Sequence, residues 1–298
     1  MIKILKIEDK NTLRLDKYLK IKFSALTQSF IEKNIRKKNI LVNNSRTSAK
    51  YIIKENDLVK ILNFHSDLYK NKITFKKNIL IPRKTSELFK KSIIYQDQNF
   101  MILNKWSTIA TQGGSKINIS IDDIIKSISP DYRLVHRLDK DTSGLLIVAK
   151  NLNSAKIFGK LFKSSLIEKT YIALCEGTPK QKESNVLLDI KNKEDKIEHT
   201  KTHYKILDVQ NNISLIQYKP LTGKTHQLRI VSKNLGCSII GDNKYNGYSK
   251  FNNEDLKLNA YNLKFIFNDK KYEFFSELSK DFYYFLKKYK FKDLKRYI

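Results

Sequence analysis

Residues 136–150 contain the side chains of this chain that are best suited to chemistry. A histidine and an arginine stand just before the carboxylate of Asp139, and a turn of Asp, Thr, Ser and Gly then leads into a short apolar stretch. A carboxylate at the edge of a turn beside a buried strand is held in place and partly desolvated, as an enzyme requires of an acid group that meets its substrate. A charged surface loop that leads into a strand has the same composition, so residue types alone leave both interpretations open.

Three later segments contain further candidates. Tyr171 lies in the middle of a strand predicted within residues 168–174. A glycine turn opens a predicted helix that contains His226 and Arg229, and a last segment covers residues 236–245. Taken singly these signals are weak, because a tyrosine within a strand usually packs in the core and an arginine on a helix usually faces solvent.

Length and composition narrow the class of protein. A chain of 298 residues with 41% hydrophobic content has room for one large domain or for two domains with genuine cores. No apolar run approaches the roughly 18 residues of a membrane span, and the first residues lack the apolar stretch of a signal peptide. Two cysteines, Cys175 and Cys237, favour a reducing compartment and are too few for a zinc site on their own. We therefore expect a cytoplasmic protein without membrane contact or bound metal.

The net charge of +28 indicates a polyanionic partner such as a nucleic acid. The chain is also rich in Ile, Asn, Tyr and Phe, a composition that an A+T-rich coding sequence produces together with many lysines. Such a bias accounts for part of the lysine excess, but it does not account for the uneven distribution of the charge. Residues 1–80 contain 19 basic and 7 acidic residues (net +12), whereas residues 81–298 contain 39 and 23 (net +16). Only 8 of the 58 basic residues are arginines, so each arginine is a candidate for a role that requires its planar, bidentate fork.

Residues 13–62 have the pattern of a small α+β module. Helices are predicted from about residue 13 and over residues 28–38, and strands over residues 40–42 and 58–61. The stretch resembles the S4 RNA-binding domain in its Arg-Leu-Asp-Lys-Tyr-Leu start, its basic helix end and its closing Asn-Asp-Leu-Val, although Asn44 stands where that family usually has glycine. A solvated helix face is the alternative interpretation of the basic residues. The resemblance implies that RNA is bound through Arg14, Lys33, Arg36, Lys37, Lys38 and Arg46.

From about residue 92 the pattern changes to short apolar strands, separated by helical stretches. Hairpins outnumber strand–helix–strand units, which favours an α+β domain with a mixed, largely antiparallel sheet. We divide the chain into an S4 domain at residues 13–75, a polar linker at 76–90 and a larger domain at 91–298, which contains the four segments with candidate residues. The predicted strands cover residues 92–95, 100–103, 144–149, 170–174, 204–209 and 213–218, and the predicted helices lie near residues 120–128, 152–163, 225–234 and 279–289.

The order and spacing of the four segments resemble the RluA-type pseudouridine synthase family. That family has His-Arg-Leu-Asp, two residues, Thr-Ser-Gly and an apolar run that ends in Ala-Lys, and residues 136–150 match this motif completely. It also has Thr-Gly-Arg-Thr-His-Gln-Ile-Arg, which residues 222–229 match except at Lys224 and Leu228. The resemblance implies an enzyme that isomerises uridine to pseudouridine in RNA and uses neither a cofactor nor a metal.

The resemblance also implies roles for single residues. Asp139 would be the essential carboxylate, which attacks C1′ of the ribose, adds to C6 of the uracil or promotes a glycal route. Arg229 would be its ion-pair partner and would favour its ionised form, while Arg137 would fill the space that the flipped base leaves in the RNA stack. Tyr171 would stack on the flipped uracil and help to remove the proton from C5. The supporting positions are His136, Thr142 and His226.

The partner that the resemblance implies is large-subunit ribosomal RNA, free or within pre-ribosomal particles, bound by a monomeric enzyme. The same class of enzyme acting on transfer RNA is the first alternative. A catalytically idle S4-type RNA-binding or assembly factor is the second, although binding alone does not require a carboxylate that faces a phosphate-rich ligand. A carboxylate-dependent hydrolase is disfavoured, because no second acid stands at the spacing that such an enzyme requires.

Overall fold

The computed structural model describes residues 1–8, 13–70, 80–114, 117–191, 195–246 and 249–297. The chain divides into two compact units, Met1–Asn78 and Ile79–Ile298. The boundary falls within the linker that was predicted at residues 76–90. The predicted end of the S4 domain and the first part of that linker, residues 71–79, lie outside the described residues.

Two helices and a small antiparallel sheet make up the N-terminal unit. Its elements are β1 (Lys3–Lys6), α1 (Leu15–Lys22), α2 (Gln28–Arg36), β2 (Ile40–Val42) and β3 (Leu58–Ile61). Strand β3 lies between β1 and β2 in the sheet. Helix α2 ends two residues earlier than predicted, because Lys38 takes up a left-handed conformation with φ of 61°. All five elements contribute to one core, which includes Leu5, Leu19, Ile31, Val42 and Val59.

The turn after β2 has an asparagine, Asn44, at the position where the S4 family usually has glycine. Asn43 and Asn44 have φ values of 49° and 59°, which asparagine tolerates better than most residues. The side chain of Asn43 also donates to Asp57 Oδ1 and accepts from the backbone N–H of Leu58, at 2.8 Å each. The two asparagines therefore form the turn without a glycine, and the side chain of Asn43 joins it to the start of β3.

The C-terminal unit is built around one large sheet. Its elements are α3 (Arg83–Ser92), β4 (Ile93–Gln96), β5 (Phe100–Lys105), α4 (Ile121–Ile128), β6 (Arg133–Leu134), β7 (Ser143–Ala149), α5 (Leu152–Lys163), β8 (Glu168–Glu176), β9 (Glu183–Lys191), β10 (Ile197–Gln210), β11 (Ile213–Pro220), α6 (Gln227–Asn234), β12 (Ser238–Ile239), β13 (Leu258–Phe267), β14 (Lys270–Phe275) and α7 (Lys280–Lys288), followed by a short 3-10 helix at Leu294–Arg296.

The strand order of this sheet is β4-β5-β7-β13-β8-β11-β10-β9, with β6 beside β7, β12 beside β8 and β14 beside β13. Every pair is antiparallel except β7 and β13, which run parallel. The predicted α+β class with a mixed, largely antiparallel sheet is therefore confirmed. None of the helices in the described parts of the chain is long and apolar enough to cross a membrane.

The parallel contact between β7 and β13 requires a glycine. Gly144 has φ of +108° and lies opposite Ala260, and a Cβ at this position would stand 2.4 Å from the carbonyl oxygen of Ala260. Only glycine combines that backbone conformation with so close an approach. The glycine of the Thr-Ser-Gly motif thus lets the strand that follows Asp139 join the sheet.

Candidate active site

The buried residue Thr111 holds the backbone of the loop that carries Asp139. The hydroxyl of Thr111 donates to the carbonyl of Leu138 at 2.7 Å and accepts from the backbone N–H of the same residue at 3.1 Å. On the far side of the turn, the N–H of Thr142 donates to the carbonyl of Asp139 at 3.2 Å. The backbone on both sides of the carboxylate is therefore held by hydrogen bonds.

Lys105, at the end of β5, supports the same loop from the interior and is only 1% exposed. Its Nζ donates to the carbonyls of Trp106, Ile109 and Lys140 at 3.0, 3.1 and 3.1 Å. Burial lowers the pKa of Lys105 to about 7, while nearby carboxylate charges, including that of Asp139, act in the opposite direction. Three carbonyl acceptors match the three hydrogens of an ammonium group, so the lysine ties the loop that carries Asp139 to the chain after β5.

The ring of His136 is held by a hydrogen bond and by an aromatic contact. Its Nε2 accepts from the backbone N–H of Ile147 in β7 at 2.8 Å, and its ring stacks on Phe162 with centroids 4.7 Å apart. Burial, together with the charge of Lys169, lowers the pKa of His136 to about 3. The imidazole is therefore neutral, and its acceptor nitrogen joins the loop to the sheet.

Asp139 stands where two cavities meet, and its side chain is 23% exposed. One cavity, of about 470 Å³, contains Tyr171 in its wall and is called here the Tyr171 cavity. The other, of about 630 Å³, contains Tyr245 and is called the Tyr245 cavity. Both volumes lie in the range of small-ligand sites. The residues that line both cavities are Arg137, Leu138, Asp139, His226 and Arg229.

Most of the charged side chains in the wall of the Tyr171 cavity are cationic. Asp139 is the only carboxylate among the residues that line it, as far as the structure describes them. Burial, reinforced by the charge of Asp139, raises the pKa of Tyr171, so its phenol keeps its proton at neutral pH. Thr142, which is buried, also lines this cavity. The cationic residues in its wall are Arg137, Lys163, Lys169, Lys224 and Arg229.

The predicted ion pair between Arg229 and Asp139 is corrected by the structure. The guanidinium instead makes a bidentate pair with Asp242, with Nε and Nη2 at 2.8 and 2.6 Å from the two carboxylate oxygens. Asp242 Oδ1 also accepts from the backbone N–H groups of Lys244 and Tyr245, which fixes it opposite the fork. Burial would lower the pKa of Arg229, but the hydrogen bonds and charge of Asp242, with a contribution from Asp139, raise it.

His226 is the basic side chain that stands nearest to Asp139 among the described ion pairs. Its Nε2 lies 4.0 Å from Asp139 Oδ1, and its Nδ1 lies 3.0 Å from the hydroxyl of Tyr245. The residue has φ of 54° and precedes α6, which begins at Gln227 rather than at residue 225. Burial and the charges of Arg229 and Lys244 lower the pKa of His226, with Asp139 opposing them, so the ring is neutral at pH 7.

Several residues of the site were not assigned a role from the sequence. Asp242 and Tyr245 lie in the fourth segment of the motif set, and Lys169 stands two residues before Tyr171 and so on the same face of β8. That spacing was the one available signal for Lys169. No local pattern identifies Lys105 or Thr111, because Lys140 and Leu138, whose carbonyls they bind in the loop that carries Asp139, are about 30 residues away in the sequence.

The predicted RNA-binding residues of the N-terminal unit lie on its surface. Arg14 is 46% exposed and makes two hydrogen bonds to Asp16, at 3.1 and 2.5 Å. The opposite face of α2 buries Ile31 and Ile35 in the core, so the helix has the amphipathic form that the sequence predicts. The other predicted contacts are all exposed: Lys33, Arg36, Lys37, Lys38 and Arg46.

Comparison with known proteins places these observations in a family. Residues 99–234 match the RNA pseudouridylate synthase family, and residues 13–59 match the S4 domain. The chain is 38% identical over 262 residues to a protein of Rickettsia bellii (strain RML369-C), a match that covers 80% of this chain and 86% of the relative. It is 32% identical over 276 residues to a protein of Vibrio parahaemolyticus, covering 87% and 86%. The chain therefore belongs to the pseudouridine synthase family, and it is an RNA-modifying isomerase with an N-terminal S4 domain.

Both of these relatives are named ribosomal large subunit pseudouridine synthase C, so the chain is similar to that group within the family. A solved structure, human RNA pseudouridylate synthase domain containing 4, shares the fold. The TM-score is 0.62 at 22% identity, over 70% of this chain and 96% of that one. The predicted resemblance to the RluA-type family is thereby confirmed.

Proposed function

We propose that this enzyme converts specific uridines of large-subunit ribosomal RNA to pseudouridine, with Asp139 as the catalytic carboxylate and without a cofactor. The observation that carries the proposal is the Tyr171 cavity, in which one carboxylate stands within an otherwise cationic wall. A polyanionic RNA strand is attracted to such a wall, and Asp139 is the carboxylate within it that can act as a nucleophile or a base.

The reaction breaks the bond between N1 of the uracil and C1′, and it forms a bond between C5 and C1′. The uridine must first leave its stack, at a cost of a few kcal/mol. Arg137 is exposed and lines both cavities, which suits a side chain that occupies the vacated position. Tyr171 then offers its ring to the flipped base, a contact worth roughly 1–3 kcal/mol.

The proton on C5 must leave as the new bond forms. Because the pKa of Tyr171 is raised, its phenol is a poor base at neutral pH and is better suited to stacking and to donating a hydrogen bond. The acid–base work in the cavity falls to Asp139, with the neutral ring of His226 at 4.0 Å from it. The role that we propose for Tyr171 is therefore to position the uracil, and not to remove the proton from C5.

The substrate assignment rests on the names of the relatives and on the S4 domain. Proteins that are 38% and 32% identical are named ribosomal large subunit pseudouridine synthase C. The exposed basic residues of α2 supply a second surface for structured RNA, which S4-type modules bind through phosphates and shape. Ribosomal RNA, free or in pre-ribosomal particles, is the partner that we propose.

The test is to map pseudouridine in total RNA from cells that lack the protein, and then to restore the wild type, Asp139→Asn or the control Asp131→Asn. Asp131 is an exposed carboxylate near the catalytic loop. We expect a few sites in large-subunit RNA to be lost, and to return with wild type and Asp131→Asn only. Equal rescue by Asp139→Asn would refute the catalytic assignment, lost sites in transfer RNA would change the substrate, and no lost site would indicate an idle binding factor.

A further inference from the structure

We infer that Lys169 is a substrate-binding residue whose ammonium group holds a backbone phosphate of the nucleotide that enters the Tyr171 cavity. The inference rests on the proposed function, because it takes a flipped uridine as the occupant of that cavity. Three observations support it: the direction in which Lys169 points, the absence of a counter-charge, and the kind of charge that the substrate brings.

Lys169 and Tyr171 lie two residues apart on β8, so their side chains leave the strand on the same face. Both residues are half-buried, and both line the cavity into which Asp139 projects. His136, at the start of the loop that carries Asp139, lines the same cavity as Lys169, and the charge of Lys169 contributes to the lowered pKa of His136. A nucleotide that stacks on Tyr171 would therefore pass beside Lys169.

No carboxylate oxygen of the described residues lies within 4.0 Å of the Lys169 ammonium. Burial accordingly lowers the pKa of Lys169, with no opposing ion pair. A half-buried cation without a counter-charge is unfavourable unless a ligand supplies one. The other cations of the cavity are either paired or exposed to water: Arg229 with Asp242, Lys224 with Glu198, and Arg137 and Lys163 at the surface.

The chemistry of the substrate identifies the missing anion. Uracil and ribose are neutral, so the phosphates are the negative charges that a flipped nucleotide brings into the cavity. Lysine binds phosphate as a compact point charge and needs no fixed geometry, which suits a backbone that must move as the base rotates. Asp139 is not the counter-charge, because the described ion pairs within 4.0 Å join it to His226 and not to Lys169.

The test compares Lys169→Met, which keeps the length of the side chain, with Lys169→Arg, which restores the charge. Lys160→Met is the matched control, since Lys160 is an exposed lysine of α5 that lines neither cavity. The substrate is an RNA fragment with a mapped uridine, and kcat and KM are measured at several salt concentrations. We expect Lys169→Met to raise KM roughly 10- to 100-fold at low salt, with kcat within about twofold of wild type.

A phosphate contact also has a signature in the salt dependence. The slope of log KM against log salt should become shallower by about 0.7 in Lys169→Met and return to the wild-type value in Lys169→Arg. The unliganded Lys169→Met protein should melt at the same or a higher temperature, because an uncompensated charge is removed. A residue with a purely structural role would lower the melting temperature instead.

The inference is overturned if Lys169→Met has the KM of the wild type, if it lowers kcat at unchanged KM, or if its salt slope is unchanged. The last result would mean that Lys169 contacts the base. Turnover of the same RNA by the wild-type protein tests the proposed function separately. An active wild type with an indifferent Lys169→Met variant would therefore refute this inference alone.

Discussion

The buried pair between Arg229 and Asp242 offers the sharpest test of how the site is held together. The two side chains are 7% and 0% exposed, and two hydrogen bonds of 2.8 and 2.6 Å join them. Asp242→Asn preserves the shape but removes the charge and places an amide against the guanidinium. Removing one partner of such a pair leaves an uncompensated buried charge, which costs about 3–5 kcal/mol of unfolding free energy.

The measurement is urea unfolding followed by the fluorescence of Trp106. It is the only tryptophan in the chain, and it packs against a core cluster of the C-terminal unit. Its signal therefore reports on that unit alone, which avoids the mixed transition of a two-domain protein. The control is Glu87→Gln, which breaks the exposed Arg83–Glu87 pair, whose side chains are 94% and 54% exposed. We expect the control to change the unfolding free energy by no more than about 0.5 kcal/mol.

The double variant Arg229→Met with Asp242→Leu completes the design. Because it removes both charges together, it should be less destabilised than Asp242→Asn by itself. Activity should be lost in both variants, because the double variant lacks the guanidinium near Asp139 and Asp242→Asn no longer fixes its position. An Asp242→Asn protein within about 1 kcal/mol of the wild type would refute the reasoning, because it would show that the bidentate pair does not stabilise the unit.

Three further predictions concern separate parts of the molecule. Since burial lowers the pKa of His136 to about 3 from 6.5, the unfolded chain binds more protons between these values, and the free energy of unfolding should fall as pH drops from 6.5 towards 3. His136→Gln, which keeps an acceptor, should flatten that dependence in Trp106-monitored unfolding, and an unaltered curve would contradict it. Gly144→Ala should unfold the C-terminal unit, whereas Gly159→Ala, in open space on α5, should stabilise it by about 0.5–1 kcal/mol in thermal melts. Replacing basic residues of the N-terminal unit by glutamine should make RNA binding less dependent on salt, by roughly 0.7–0.9 in slope for each lost phosphate contact; an unchanged slope would place the RNA contact elsewhere. The residues to replace are Lys33, Arg36 and Lys37.

The elements that the sequence predicted well are those with a strong local period. Strands β2 and β3 occur at the predicted residues, and helices α4, α5 and α7 are reproduced to within one residue at each end. Seven strands and helices of the described residues were not predicted, because they are short or have weak patterns: β1, α3, β6, β9, β12, β13 and β14. Helix α3 is polar around most of its surface, and β9 is an edge strand in which most residues are partly or fully exposed. Strands β13 and β14 follow a segment rich in turns, which makes the start of their alternation of apolar and polar residues difficult to recognise in the sequence.

The site was predictable only as far as its motifs extend. Sequence spacing and family resemblance brought Asp139, Tyr171 and Arg229 into one candidate site, and all three line the Tyr171 cavity. The predicted partner of Arg229 differs from the observed one, because the family resemblance that suggested Asp139 does not show which carboxylate reaches the guanidinium after folding. Lys105 and Thr111 were missed for a related reason, because their importance depends on carbonyls of the catalytic loop that come within reach only after folding.

The cationic side chains nearest to the loop that carries Asp139 are bound to other groups and not to its carboxylate. A carboxylate locked in a bidentate pair has both oxygens occupied, and it must break strong hydrogen bonds before it can react. Asp242 pairs with the fork of Arg229, so the guanidinium contributes its charge to the cavity without occupying the oxygens of Asp139. Lys105 is likewise held by three carbonyls beneath the loop. Asp139 thus lies in a positive field and keeps its oxygens free, which is the condition under which a carboxylate can act on a flipped nucleotide.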